Sequence, residues 1–548
     1  MESPTSKKWL FRVVDPRFGA ENIYRYQARR TISLGPVMVA TVADKELPWL
    51  EAEVISENNY QKRTQRAPVD KNNLPDHEAL QKERKADFIG ISASITNAVP
   101  RAVEIIKIYK GMNREIRPAK IIVGGWHAGI LPQEFLDAGA DEVVHGEGEV
   151  VISELLRALK EERSLSNIPG ISYREKGEFV RNTPENLIFP GEKMDLLPHP
   201  NFGLVRYAKI KNYPINFGRG CSGKCRFCLV RSQHRCLLPE RFTDQIKVLI
   251  SKGAKNFFLV DDRAEENLEG LKSWLVMLRD FRQERKIKKL DITLQCRLTL
   301  AEHPEILELM VEAGVKTVAI GFESPIPEQL IAMRKPINPR KMVEQAKVFK
   351  RAGIYVHMMM IFGYPTIWRG EKSPKTISAK KMAEIFWQFI KKVNPDTLQV
   401  LFYVPIPGTE DWKDLREQKR IYKTDWSFYD GTWVVFKPDE GIQPEELQKE
   451  GIKLMRKFYA YKLIWQWEWV SFLAHLLKVG SVTVLLPFLW LVVYPFKRNS
   501  RLAWNFSKRI FRNARRHFQA SLIISAWLRS AKHLQMIIRK SYRAEEKN

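Results

Sequence analysis

Six short apolar runs between residues 213 and 412 constrain this chain more than any other feature. They cover 214–217, 256–260, 291–295, 317–322, 355–362 and 397–402, with helix-like sequence alternating between them. Strands that alternate with helices pair in parallel, and six such units suit a partial (β/α)6 barrel of the TIM type. The side chains that do chemistry in barrels stand at the C-terminal ends of the strands. Polar clusters occur at those ends: Asp261-Asp262-Arg263, Gln295-x-Arg297, Glu323-Ser324, Gly363-Tyr364-Pro365 and Pro405-x-Pro407-Gly408-Thr409. Taken singly, each of these residues reads equally well as a strand-end cap or ion pair; their recurrence at successive ends marks them as a set. Met358, Met359 and Met360 read as barrel core, and Cys296 as a candidate cavity-lining thiol.

The first run leads into Gly218-Arg219-Gly220-Cys221-Ser222-Gly223-Lys224-Cys225-Arg226-Phe227-Cys228. Its small residues let the backbone fold tightly and turn three sulfurs, spaced C-x3-C-x2-C, toward one point. A structural zinc site takes four closed ligands, and an electron-transfer iron–sulfur cluster usually takes four cysteines. Three thiolates on a four-iron cluster leave one iron open to a substrate or cofactor. The alternative is a zinc knuckle completed by His234 or Cys236.

This spacing, with Phe227 ahead of the third cysteine, resembles the signature of the radical S-adenosylmethionine (radical SAM) enzymes, and the resemblance spans residues 211–440. It implies that Cys221, Cys225 and Cys228 hold a [4Fe-4S] cluster and that SAM chelates the open iron. By the same resemblance Asp262 and Arg297 orient the amino and carboxylate ends of SAM, and Glu323 and Ser324 lie near its ribose and methionine parts. The chain departs from the family where Asp261-Asp262-Arg263 replaces the common Gly-Gly-Glu.

Residues 1–165 also alternate strands with helices, which indicates a parallel, doubly wound, Rossmann-like α/β sheet whose ligand binds beyond the strand ends. Those ends carry Ser92-Ala93-Ser94, Gly124-Gly125-Trp126-His127 and Gly146-Glu147-Gly148-Glu149. With Leu34-Gly35-Pro36, they resemble the cobalamin-binding domain found ahead of many radical SAM cores. Ser92, Gly124, Gly125, His127, Gly146 and Glu147 are the implied cofactor-binding residues. No Asp-x-His-x-x-Gly is present, so the cobalt is expected to lack a histidine ligand from that motif. His127 either touches the corrin or caps a turn. A Rossmann-like fold that has lost its ligand is the alternative for the whole domain. Residues 166–210, with Pro190, Pro198 and Pro200, read as a strand pair followed by an irregular linker.

Five cysteines, three of them in one loop, exclude a disulfide framework and indicate a reducing compartment. Lys7 and Lys8 lack the long apolar core of a secretory signal behind them. The formal net charge of +27 points to an anionic partner, and the last part of the chain decides which one. Residues 441–548 read as a helical, basic and apolar extension. Residues 479–496 carry no charge, and 497–543 contain no acidic residue. Phe506, Ile510, Ala514 and Phe518 share a helical face, with Lys508, Arg512, Arg515 and Arg516 mostly on the others. This pattern predicts an anchor on an anionic membrane surface, at the inner face of the cytoplasmic membrane. Nucleic acid does not account for the apolar stretch; a helical bundle packed on the barrel is the alternative.

The resemblance implies reductive cleavage of SAM to a 5′-deoxyadenosyl radical, with electrons from a reduced flavodoxin- or ferredoxin-type donor. It further implies cobalamin-dependent methylation of an unactivated carbon, and the membrane-facing tail suggests a lipid or terpenoid substrate. Oxidative ring closure, carbon–carbon coupling, and modification of tRNA or protein are the related outcomes.

Overall fold

The structure, a computed structural model, describes residues 8–465 apart from residues 20, 21, 23, 62–66, 185, 186, 336 and 367–376. The N-terminal half builds one eight-stranded sheet from β1 (Trp9–Asp15), β2 (Leu50–Ser56), β3 (Phe88–Ser92), β4 (Lys120–Gly124), β5 (Glu142–Val144), β6 (Ile171–Glu175), β7 (Glu178–Arg181) and β8 (Val205–Arg206). Their order is β7-β6-β5-β4-β3-β1-β2-β8. The six strands from β8 to β5 run parallel, and β6 and β7 return antiparallel. Helices cover both faces, so the central strands are apolar along their length rather than alternating. In β1 all but Trp9 are buried.

Residues 166–210 contain the expected strand pair, β6 and β7, but the part after it is not wholly an irregular linker. They supply β6, β7 and β8, which extend the N-terminal sheet at both edges. Ile171, Ser172 and Tyr173 are buried against β5, a run too short to show a period, and the prolines occupy the connection between the two edges.

A two-residue ladder, β10 (Gly218–Arg219) with β11 (Arg235–Cys236), closes the cysteine loop. The second sheet comprises β9 (Tyr213–Ile215), β12 (Asn256–Leu259), β13 (Asp291–Cys296), β14 (Val315–Glu323), β15 (Tyr355–Phe362) and β16 (Thr397–Phe402). All six are parallel, in the order β16-β15-β14-β13-β12-β9, which is the expected partial barrel. Cys296 is buried in the apolar core, against the expectation that it lines a cavity; it follows Leu294 on the buried side of β13. Met358 and Met360 are core as expected, whereas Met359 faces the other way and is half-buried.

The extension expected from residue 441 begins as part of the barrel. Helix Pro444–Trp465 packs on β16 and on helix Ala379–Val393. Tyr459 Oη donates to the Leu398 carbonyl at 2.7 Å, and Lys462 Nζ to Asn394 Oδ1 at 2.9 Å. The apolar stretch and basic face beyond it lie outside the described residues. Among the described residues no helix is long and apolar enough to cross a membrane.

Candidate active site

The ladder of β10 and β11 brings both ends of the cysteine loop together, and the Cys221 N–H donates to the Ser232 carbonyl at 3.1 Å. The Gly223 N–H lies 3.3 Å from Cys221 Sγ, and the Val230 N–H 3.4 Å from Cys228 Sγ. N–H groups aimed at sulfur favour the thiolate. Burial pushes the Cys225 and Cys228 thiols up, and the neighbouring thiols add to the rise at both, while Lys335 and Arg297 oppose it at Cys225. Arg297 Nη2 stands 3.9 Å from Cys221 Sγ. Three thiolates faced by two cations fit an iron–sulfur cluster.

The two candidate fourth ligands of a zinc knuckle are engaged elsewhere. His234 packs on Gly218, and Cys236 Sγ accepts from Asn267 Nδ2 at 3.2 Å. No three His, Cys, Asp or Glu side chains among the described residues converge on a single ion.

The loop is moored from behind. Arg226 donates to Asp411 Oδ1 at 2.9 Å and also to Asp414. Tyr364 Oη donates to Asp411 Oδ2 at 2.6 Å, and Arg231 to Glu410 at 2.5 Å. Thr409 caps this acidic helix start, accepting from the Trp412 N–H at 3.1 Å. The cap was legible as Thr409-Glu410-Asp411; its use as a mooring for the cysteines was not.

At the strand ends, Asp261 is fully buried and accepts from the Phe217 and Gly218 N–H groups at 2.8 Å each. Asp262 accepts from the Gly220 N–H at 3.1 Å and lines the cavity described below. The pair therefore sets the course of the chain into the cysteine loop. Glu323 sits at a β-bulge with φ of 59°, a left-handed conformation that costs a non-glycine residue roughly 1–3 kcal/mol. Lys335 Nζ holds its carboxylate at 2.6 Å. Lys335, which touches both Glu323 and the field of Cys225, was not singled out in the sequence. Ser324 does not present its hydroxyl to a ligand: it is fully buried, donates to Gln329 Oε1 at 2.6 Å and accepts from the Ile326 N–H at 3.0 Å.

A cavity of about 440 Å³ lies between the two sheets. Ser92, Gly124, Gly125 and Gly146 line it from the N-terminal strand ends, and Gly220, Val230 and Asp262 from the cysteine loop side. Gly125 has φ of 116°, and a Cβ there would lie 2.4 Å from Ser94 Oγ and 2.7 Å from its backbone N. Gly35, at the start of helix Leu34–Glu46, is different: a Cβ there meets no atom within 4 Å. The missing side chains thus leave a cradle, which fits a large planar cofactor approaching the backbone.

His127 is not in this cradle. It is buried on the far side of its turn, with Nδ1 3.2 Å from Thr96 Oγ1, Nε2 3.3 Å from Glu134 and its ring against Trp426. The turn after Gly125 reverses the chain and points the next-but-one side chain away. Glu147 stands at the rim and joins the two halves: Arg235 Nη2 donates to it at 2.9 Å, and Arg219 approaches at 3.3 Å. Arg219 also donates to Glu149 at 2.8 Å. Burial would raise Glu147, but these guanidinium groups hold its carboxyl below the usual range.

Comparison with known families agrees with the two halves as built. Residues 215–370 match the radical SAM superfamily, and residues 52–156 the B12 binding domain. The chain is a radical SAM enzyme with a B12-binding domain. Its cofactors are a [4Fe-4S] cluster, SAM and cobalamin. An uncharacterised methyltransferase of Pyrococcus horikoshii is 29% identical over 387 residues, 68% of this chain and 78% of that protein. The anaerobic magnesium-protoporphyrin IX monomethyl ester cyclase of Rubrivivax gelatinosus is 25% identical over 70% of this chain and 67% of its own. The hopanoid C-2 methylase of Rhodopseudomonas palustris is 28% identical over 46% of each chain. The radical SAM methyltransferase TsrM of Kitasatospora setae, solved with cobalamin and a [4Fe-4S] cluster, shares the fold of this radical SAM enzyme. It has a TM-score of 0.59 and 18% identity over 76% of this chain and 79% of its own.

Proposed function

We propose that this radical SAM enzyme methylates an unactivated carbon of a lipid-like substrate. The observation that carries the proposal is the shared cavity: the cysteine loop and the glycine-lined strand ends of the B12-binding domain face the same space. Cluster, SAM and cobalamin would together supply a carbon-centred radical and a methyl group, chemistry that side chains do not provide. Cys221, Cys225 and Cys228 would hold the cluster. Arg297 and Lys335 balance thiolate charge, and Glu323, held by Lys335, stands ready at the strand end to accept a hydrogen bond from SAM. Asp262 fixes the loop that carries the first cysteine. Gly124, Gly125 and Gly146 would let the corrin meet the backbone, and the Glu147–Arg219–Arg235 contacts hold the two halves around it. The exposed Lys224 and Arg231 flank the second and third cysteines and offer an approach for an acidic electron donor of the flavodoxin or ferredoxin type.

The lipid-like substrate is supported by the sequence of 479–543, apolar and then basic, and by the name of the hopanoid relative. A truncation after Trp465, which spares the helix packed on β16, is expected to release the protein from membranes. The direct test is anaerobic incubation with methyl-deuterated SAM and a lipid extract of the host, read by mass spectrometry. A labelled methyl on an extracted lipid supports the reading. 5′-Deoxyadenosine without any labelled product favours ring closure or coupling, as the cyclase relative suggests.

A further inference from the structure

Strands β13, β15 and β16 alternate strictly between a buried and a half-buried face. The buried face meets the outer helices: Phe362 stacks edge-on against Phe386 at 5.1 Å, and Phe322 against Phe389 at 6.2 Å. The other face is the concave interior. In a filled barrel the interior is packed with branched aliphatic side chains; here it keeps access to solvent.

Its chemistry is specific. The register aligns Gln295, Ala319, His357 and Thr397 in one layer, with Gly321, Met359 and Gln399 in the next. His357 Nδ1 lies 2.7 Å from Thr397 Oγ1, and Nε2 3.4 Å from Gln399 Oε1. Burial pushes the His357 ring below its usual value, so it is neutral at neutral pH. The ring then accepts from Thr397 and donates to the Gln399 carbonyl. That contact orients the Gln399 carboxamide and leaves its N–H groups unclaimed among the described residues. Gln295 likewise makes no hydrogen bond there. Of the half-buried positions on these strands, Asp291 and Lys316 at the N-terminal end are charged, Lys316 standing at the β13–β14 register shift beside Asp291 and Arg282; above these two, from the Thr293 level up to Leu401, none is Lys, Arg, Asp or Glu. Met359, Ile361 and Leu401 carry the same face up toward the cluster. Gln295 lies two residues before Arg297, a rise of about 7 Å, so the polar layer sits one step beneath the thiolates.

We infer that His357, Thr397, Gln399 and Gln295 form a recognition floor inside the barrel for an uncharged hydroxyl or carbonyl group carried by an otherwise apolar substrate. This rests on the reading of the barrel as the site of the radical reaction, and it names the end of the substrate that enters first. A phosphate or carboxylate in this layer would find no free cation, because Lys335 Nζ, which reaches the Gly321 carbonyl at 2.9 Å, is already paired with Glu323 at 2.6 Å. An uncharged oxygen would accept from Gln399 and Gln295 and leave the apolar body against Met359 and Leu401.

The test uses the full chain, reconstituted anaerobically with iron, sulfide, SAM and cobalamin. Geraniol and geranyl phosphate, both radiolabelled, are the probes, and equilibrium dialysis reads their binding. Geraniol is expected to bind about tenfold or more tighter than geranyl phosphate, because the floor can satisfy one and not the other. Gln399→Leu should lose about tenfold in geraniol affinity, and Gln399→Lys should invert the preference toward the phosphate. Iron content per chain checks that each variant folds, and the wild-type preference stands as a measurement that needs no variant. Equal or tighter binding of geranyl phosphate by the wild type, absence of geraniol binding, or unchanged preference in Gln399→Lys overturns the inference. SAM cleavage by the wild type is read in the same preparation. If no 5′-deoxyadenosine forms while geraniol is still preferred, the reaction assignment fails and the recognition floor stands.

Discussion

The two sheets of this protein are both parallel, yet they make their binding spaces in opposite ways. The N-terminal sheet is covered by helices on both faces. Even its charges are inside: Arg12 is fully buried, donating to Glu53 at 2.6 Å, and Glu57 is clasped by Arg101 at 2.6 Å and His77 at 3.1 Å. Its cavity opens at the strand ends, where glycines withhold side chains, and runs on between Phe11, Val13 and Ile122 of the strands and Met38 and Ile152 of the covering helices. The barrel sheet is sealed on its helix side, and its interior face is half-buried, with a polar layer between apolar side chains. One half thus offers a rim and the other a hollow, and the cysteine loop stands where they meet. The lesson is that burial pattern along a strand, two-sided or alternating, tells where a parallel sheet can take a ligand.

That contrast is broken most severely at the meeting point. Cys225→Ala is expected to abolish 5′-deoxyadenosine formation, a loss on the order of 10⁶-fold or more, since no side chain substitutes for the cluster. Iron analysis and product chromatography check it. Next comes the rim. Gly35→Phe fills space that meets no protein atom and should weaken cobalamin retention by about 100-fold, equal to about 3 kcal/mol, with the fold intact. Bound corrinoid absorbance against the melting profile separates the two effects.

The N-terminal sheet supplies the third test. Burial would raise the Glu57 carboxyl, but hydrogen bonds from Arg101 and His77 hold it at about 2. A carboxylate with a depressed value stabilises the fold at pH above its unfolded value, near 4.5, and that stabilisation is lost as pH falls toward 2. The contribution is about 3 kcal/mol, and Glu57→Gln should flatten this part of a stability–pH curve measured by denaturant titration. Gly125→Ala follows at about 2 kcal/mol, because the new methyl meets the backbone of Ser94 at a positive φ. Smallest is Tyr364→Phe, which removes one hydrogen bond to Asp411 behind the cysteine loop and should cost about 1.5 kcal/mol. Comparing its melting profile with and without the cluster tells whether that mooring serves the loop.

Much of this architecture was readable from local pattern. The six barrel strands fall within one or two residues of their apolar runs, because period and length are encoded locally. The cysteine spacing carried the cluster for the same reason. What escaped is long-range. Glu147 meets Arg235 across 88 residues, and Glu323 needs Lys335 to hold it; no periodicity announces such pairs. His127 was legible as a residue after two glycines, but only the turn's direction shows that its ring leaves the cavity. Ser324 was legible as a strand-end residue, but only the fold shows that Gln329 claims its hydroxyl. Within 166–210 the strand pair was legible, but β8 escaped because a strand of two residues gives too few alternations to recognise.

The most direct measurement of the account uses the anaerobically reconstituted full chain, a one-electron reductant and SAM, with iron, sulfide and 5′-deoxyadenosine determined on the same sample. Four irons and four sulfides per chain with steady release of 5′-deoxyadenosine are expected. A filled cluster that leaves SAM intact, or a chain that takes up zinc in place of iron, contradicts it.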